Sequence, residues 1–208
     1  MNTSATIGIV DDEPGMLRAL SRLFRAKGFA IQTFQSSREF LVHLSAAHLD
    51  CVVLDVLMPE LDGLEVQECL KRTGAYVPII FLTGQGSIPM SVRAMKAGAV
   101  NFLTKPVDEG ELMAAVQFAL QESDHHRAEE ATVQTLRAHM EQLTPRELEV
   151  WRHVISGKLN KQIAADLGVG EQTIKVHRMR LMEKMDVVSV PELLMAAQRL
   201  GVAPAVPL

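Results

Sequence analysis

Cys51-Val52-Val53-Leu54-Asp55 is four consecutive apolar residues closed by a single acid. A strand without polar alternation is buried on both faces, the condition of a strand inside a parallel sheet covered by helices. The same form recurs upstream, where Ile7-Gly8-Ile9-Val10 precedes Asp11-Asp12-Glu13, and downstream, where Ile79-Ile80-Phe81-Leu82 precedes Thr83. Ile31 to Phe34 and Asn101-Phe102-Leu103 are two further short runs, the second leading into Lys105-Pro106. Amphipathic segments alternate with them: Met16 to Ala26, Arg38 to Leu44, Leu64 to Leu70, Met90 to Lys96, and Glu111 onward. Five βα units predict a five-stranded parallel sheet with helices on each side. Ligands of such a sheet bind beyond the carboxyl ends of its strands.

At that predicted edge stand Asp11, Asp12 and Glu13, then Asp55, Thr83 and Lys105. Converging carboxylates repel one another unless a cation neutralises them, and several hard oxygen ligands suit Mg²⁺. An Asp-Asp pair by itself is usually a solvated turn. A lone aspartate closing a wholly apolar strand, with a lysine at the same edge, points instead to a metal-assisted site.

The 208 residues accommodate one domain of about 120 residues and a second of about 65. Although 48% of the chain is hydrophobic, no run approaches a membrane span. Met1-Asn2-Thr3-Ser4 carries no basic residue and the apolar run from Ile7 stops at two aspartates, so a soluble, cytoplasmic protein is expected. Cys51 and Cys69 lack metal-ligand spacing and read as reduced packing residues. The net charge of −4 is unevenly divided: residues 1–123 hold ten basic and fourteen acidic residues, residues 142–208 nine and seven. An acidic control domain and a mildly basic nucleic-acid binder fit that split.

From Asp108 a helical pattern continues to about Met140, with no Pro or Gly after Gly110. Its centre, Glu122 to Glu130, is almost wholly polar. A solvated linker helix, whole or broken, and a coiled-coil stalk both fit this thin apolar stripe. Thr144-Pro145-Arg146-Glu147 is a capping box with proline at the first helical position, so a helix begins there. Asn160 is positioned to cap a second helix, Lys161 to Leu167, which stops at Gly168; a third runs from about Glu171 to Met185. Two short helices joined by a glycine turn form a helix-turn-helix. On the third helix Ile174, Leu181 and Met185 share one face, and Gln172, Lys175, Val176, Met179 and Glu183 another. Lys175, Arg178, Arg180 and Lys184 then form a ridge suited to phosphates and base edges, supported by Lys158 and Lys161. Four basic residues on a helix are usually a solvated face, and the preceding turn favours the DNA reading. Gly201 to Leu208 reads as a frayed tail.

The segments Val10-Asp11-Asp12-Glu13, Leu54-Asp55-Val56-Leu57-Met58-Pro59, Asp62-Gly63, Phe81-Leu82-Thr83-Gly84, Ala94 to Ala99 and Phe102-Leu103-Thr104-Lys105-Pro106 resemble the receiver domain of two-component response regulators. The resemblance implies a flavodoxin-like strand order 2-1-3-4-5. It also implies Asp55 as phosphoacceptor, with Asp12, Asp55 and the Leu57 carbonyl as Mg²⁺ ligands and Asp11 acting through water. Lys105 would assist the transfer, Thr83 and Phe102 would form the switch, and Lys105-Pro106 would be cis. Leu57 and Gln85 occupy positions that vary in the family and influence dephosphorylation, and Val107 replaces a common aromatic residue.

Leu143 to Gly201 resembles the LuxR-type DNA-binding domain of the NarL/FixJ family, carried by Leu143 to Glu147, Asn160-Lys161-Gln162-Ile163-Ala164, Thr173 to Arg178 and Lys184-Met185. The resemblance implies an all-α, four-helix domain in which Lys175, Val176 and Met179 face bases. Asn160, Lys161, Thr173, His177 and Arg178 would face the DNA backbone. Gly170 stands where a capping Ser is common. Leu193, Leu194 and Ala197 would form the dimer helix. The domains implied are a receiver over 1–122, a linker helix over 123–141 and the DNA-binding domain over 142–208. The partners implied are a sensor histidine kinase, double-stranded promoter DNA, a second copy of the chain once phosphorylated, and RNA polymerase, with no membrane.

Two other functions use some of the same parts. Aspartyl phosphatases of the haloacid dehalogenase type also combine Asp, Mg²⁺ and Lys but need Asp-x-Asp-x-Thr/Val, where this chain has Asp11-Asp12-Glu13-Pro14. A phosphate-independent dimer scaffold would not require Asp12, Asp55, Thr83 and Lys105 together. A transcription regulator rather than an enzyme is the reading the residues favour.

Overall fold

A computed structural model describes residues 5–44 and 48–205. Its chain divides into two compact units, the first ending at His126 and the second beginning at Arg127.

In the first unit β1 (Thr6–Val10), β2 (Ala30–Phe34), β3 (Cys51–Leu54), β4 (Ile79–Thr83) and β5 (Asn101–Thr104) form one parallel sheet in the order β2-β1-β3-β4-β5. The switch in strand order falls between β1 and β3, the strands that end at Asp11 and Asp55. Helices α1 (Pro14–Ala26), α2 (Ser37–His43), α3 (Gly63–Thr73), α4 (Ile88–Lys96) and the start of α5 (Glu109–Glu141) connect and cover the strands. Because successive side chains alternate across the sheet, β3 feeds two cores. Val52 and Leu54 pack with Phe34, Phe40, Val66 and Phe81, whereas Cys51 and Val53 pack with Phe24, Ile80, Leu103 and Val116. Both cysteines are unbridged, and burial pushes the Cys51 thiol up to about 12, so it packs as a neutral hydrophobe.

Helix α3 carries a capping box: Glu65 N–H donates to Asp62 Oδ1 at 2.7 Å, and Asp62 N–H donates to Glu65 Oε2 at 2.8 Å. Any side chain at Gly63 would collide with the carbonyl oxygen of Asp55. That glycine lets α3 start against the strand that carries Asp55.

Helix α5 is unbroken from Glu109 to Glu141. Leu136 and Met140, near its end, pack against the core of the second unit. That core is built by α6 (Pro145–Ile155), α7 (Asn160–Asp166), α8 (Glu171–Lys184) and α9 (Val190–Leu200). Trp151, fully buried, donates from its indole N–H to the Leu193 carbonyl at 3.3 Å, fastening α9 to α6. The expected box at Thr144 is present: Glu147 N–H donates to Thr144 Oγ1 at 3.3 Å and Glu147 Oε2 accepts from Thr144 N–H at 2.8 Å.

Two local expectations need correction. Asn160 is the first residue of α7 rather than its cap; Leu159 holds the cap position, its N–H donating to Gln162 Oε1 at 2.8 Å. Nor does the chain fray at Gly201. Val202 N–H donates to the Ala197 carbonyl and Ala205 N–H to the Arg152 carbonyl, both at 2.9 Å, so this stretch is stitched to α9 and α6. The remainder of the expected tail, 206–208, lies outside the described residues. No helix among the described residues is long and apolar enough to cross a membrane.

The Glu147 carboxylate, 2% exposed, also accepts from Lys184 Nζ at 2.7 Å. Burial would push its pKa up, but the bonds from Lys184 and Thr144 outweigh this and hold it below the ordinary glutamate value of 4.5. A carboxyl depressed by folding stabilises above its unfolded pKa and loses that contribution as pH falls through the folded one. Lys184→Met should therefore destabilise the second unit by about 1–3 kcal/mol at pH 7, the cost of an orphaned buried acceptor. In urea denaturation the deficit should shrink as pH drops below 4.5.

Candidate phosphoacceptor site and nucleic-acid interface

The carboxyl ends of β1, β3, β4 and β5 bring Asp11, Asp55, Thr83 and Lys105 to one place. Backbone bonds hold the approach: Asp55 N–H donates to the Val10 carbonyl at 2.9 Å and Lys105 N–H to the Thr83 carbonyl at 2.8 Å. Asp11 and Asp55 are 2% and 6% exposed, so their charges need partners. Lys105 Nζ supplies one to both, donating to Asp11 Oδ2 at 2.7 Å and Asp55 Oδ2 at 2.8 Å. Their other oxygens accept from Glu13 N–H at 2.8 Å and Leu57 N–H at 3.2 Å. Burial disfavours the Lys105 ammonium, yet the bonds to Asp11 and Asp55 outweigh it and its pKa is raised. The lysine is charged at neutral pH. Lys105-Pro106 is cis.

Asp12 is exposed at the rim, and one carboxylate oxygen each from Asp11, Asp12 and Asp55 lie within 4.8 Å of one another. Three anionic oxygens facing one lysine leave negative charge in excess, and this donor set fits a hard divalent ion such as Mg²⁺. At Leu57 the described contact is its N–H to Asp55.

Thr83 is wholly buried, and its hydroxyl accepts from Gln85 N–H at 3.4 Å. Among the described residues the Thr83 hydroxyl makes no hydrogen bond to Asp55 or to the Lys105 side chain. Phe102 is partly buried and tilted against Phe81, with ring centroids 6.0 Å apart. A Cβ at Gly86 would come within 3.0 Å of the Phe102 ring and 2.9 Å of Thr104. Sequence reasoning passed over Gly86; a glycine two residues beyond Gly84 was the available signal.

In the second unit, α8 exposes Thr173, Lys175, Met179 and Arg180, half-buries Val176, His177 and Arg178, and turns Ile174 and Leu181 into the core. Arg178 Nη1 donates to Asn160 Oδ1 at 2.7 Å, tying the start of α7 to α8 with Lys161 exposed beside it. The expected basic ridge is shorter than four residues, because Lys184 turns away to the buried Glu147. Lys158 is likewise engaged by Asp166 at 2.7 Å. His177 Nδ1 is buried without a hydrogen-bond partner.

The expected dimer-helix trio does not share an exposed face. Leu193 and Ala197, each at most 3% exposed, point with Ala196 toward Trp151, because α9 needs that side for the domain's own core. Only Leu194 of the three is open, at 44%, beside the exposed Met195.

Residues 7–117 match the family described as response regulator receiver domain, and residues 141–197 match the bacterial regulatory proteins of the luxR family. The response regulator protein TodT of Pseudomonas putida is 43% identical over 197 residues, covering 95% of this chain and 87% of that one. The transcriptional regulatory protein FixJ of Bradyrhizobium diazoefficiens is 37% identical, covering 97% and 98%. Among solved structures, the response regulator StyR superposes with a TM-score of 0.79 at 40% identity, covering 95% of this chain and all of that one. With two such domains in this order along nearly its whole length, the chain belongs to the two-component response regulators of the NarL/FixJ family.

Proposed function

We propose that the chain is a transcription factor switched by phosphoryl transfer from a sensor histidine kinase to Asp55. The observation that carries this reading is the double hydrogen bond from Lys105 Nζ to Asp11 and Asp55. Lys105 occupies Asp55 Oδ2, whereas Oδ1 has only the longer contact from Leu57 N–H, so Oδ1 is the freer nucleophile. The new bond joins Asp55 to phosphorus as the phosphorus–nitrogen bond of the donor's phosphohistidine breaks and the imidazole leaves. Asp11, Asp12, Asp55 and the Leu57 carbonyl would hold Mg²⁺, which when bound neutralises charge on the transferring oxygens. Lys105 holds the oxygen of Asp55 that does not attack.

Phosphorylation would draw the Thr83 hydroxyl to the new group and let Phe102 turn inward. The surface of α4, β5 and α5 would change with it, and there Val92, Met95, Lys96 and Glu111 are exposed. Dimerisation through that surface would place two DNA-binding units on an inverted repeat, which suits a unit with little net positive charge. In each unit Lys175, Val176 and Met179 would face bases, and Asn160, Lys161, Thr173, His177 and Arg178 the DNA backbone. The domain bounds in this reading are 1–122, 123–141 and 142–208. The protein would act in the cytoplasm on promoter DNA with RNA polymerase.

Incubation with acetyl phosphate and Mg²⁺ followed by peptide mass analysis tests the phosphoacceptor. A single phosphoryl group on Asp55 is expected, absent from Asp55→Asn and from Asp12→Ala. A label on another residue, or one that survives Asp55→Asn, rules the assignment out.

Base and backbone contacts separate in salt-titrated binding to a duplex selected from random sequence. Lys175→Ala should cost about 1–3 kcal/mol on the selected site and narrow its margin over other DNA, whereas Lys161→Ala should weaken all duplexes alike and lower the salt slope by about one. Identical behaviour of the two variants contradicts the division.

A further inference from the structure

Helix α1 carries Arg18, Arg22 and Arg25 at i, i+4 and i+7, one exposed stripe about 10 Å long. The stripe lines a groove of about 520 Å³ between α1 and the end of β2, with Ser21, Thr33 and Gln35 also on its wall. No carboxylate lines this groove, and among the described residues none of the three guanidiniums has an acidic partner. Lys27, Arg93 and Lys105 of the same unit are paired, with Glu109, with Glu68 and with two aspartates, whereas Arg38, Lys71, Arg72 and Lys96 are scattered singly without an acidic partner among the described residues, so what sets the stripe apart is three such cations on one helix face along one groove. Glu39, just beyond β2 in the chain, is taken up by Gln35 N–H at 2.8 Å. Like charges one turn apart repel, and nothing on this helix relieves them. In a domain with an excess of acids, such a stripe is a local reversal of charge that a bound anion would neutralise.

The shape and chemistry of the groove narrow the anion. Guanidiniums pair with phosphate oxygens through parallel N–H bonds, and three in a row favour a ligand with several phosphates in a chain over a single one. The groove has no aromatic ring on which a base could stack, so recognition would rest on the phosphates. We infer that the Arg18–Arg22–Arg25 groove binds a linear oligophosphate. This ligand would approach by charge at the rim of the domain, and its site includes none of Asp11, Asp12, Asp55 or Lys105.

Isothermal titration of the full chain with sodium tripolyphosphate, in magnesium-free buffer with a chelator, tests the inference. One saturable site per chain is expected, at least tenfold weaker in Arg22→Gln and abolished in Arg18→Gln/Arg22→Gln/Arg25→Gln, with far-ultraviolet circular dichroism unchanged. Orthophosphate should bind at least tenfold more weakly, and a nucleoside triphosphate about as well as tripolyphosphate. Lys175→Ala, on the DNA-binding face, should leave binding intact. Loss of binding in Lys175→Ala but not in the arginine variants would place the anion on α8 and overturn the inference. So would the absence of saturation, equal weakening of every variant by salt, or an acidic helical peptide that binds the stripe when tripolyphosphate does not.

Discussion

Among the described residues, Lys105 is the one cation that bonds the buried carboxylates of Asp11 and Asp55, and the receiver domain is organised around that contact. Two acids a few ångströms apart in a site with little water repel strongly. The lysine reaches both because β5 ends at the sheet edge where β1 and β3 end, with the crossover between those two strands opening the space. Parallel strands do more here than form a core: they bring acids 44 residues apart in the chain, and a lysine 50 residues further on, to a common point. Mg²⁺ would add charge to a site that already has a fixed donor on one oxygen of Asp55, the other oxygen having only the longer bond from Leu57 N–H.

The second unit uses the same physics to hold rather than to react. Glu147 is buried, but its partners are its own cap residue, Thr144, and Lys184 at the end of α8, so α6 and α8 are locked in register. Arg178 with Asn160 makes a second lock between α7 and α8. Basic residues on α8 thus divide into those bonded within the unit, Arg178 and Lys184, and those left exposed, Lys175 and Arg180 among them.

Most of the fold was legible in the sequence because burial on both faces writes itself as unbroken apolar runs, and because a capping box such as Thr144 to Glu147 is local. The acidic edge was legible for the same reason: where strands stop is visible, and parallel strands stop on one side. What depends on contacts distant in sequence was not legible. Lys184 read as a DNA-facing cation because its partner lies 37 residues away, in another helix. Leu193 and Ala197 read as a dimer face because an apolar stripe on a helix does not say whether its own domain or a second copy covers it. Asn160 read as a cap, although a side chain two residues later, Gln162, was able to satisfy the backbone at Leu159 instead.

In the proposed function, the state of Asp55 governs how the second unit binds DNA. Fluorescence anisotropy of the full chain on a selected duplex, with and without acetyl phosphate and Mg²⁺, measures this directly in the wild type and in Asp55→Asn. A coupling of about 1–3 kcal/mol corresponds to an affinity gain of roughly 5- to 150-fold, expected in the wild type and absent in the variant. Equal affinity with and without phosphorylation, or an equal gain in Asp55→Asn, would contradict it.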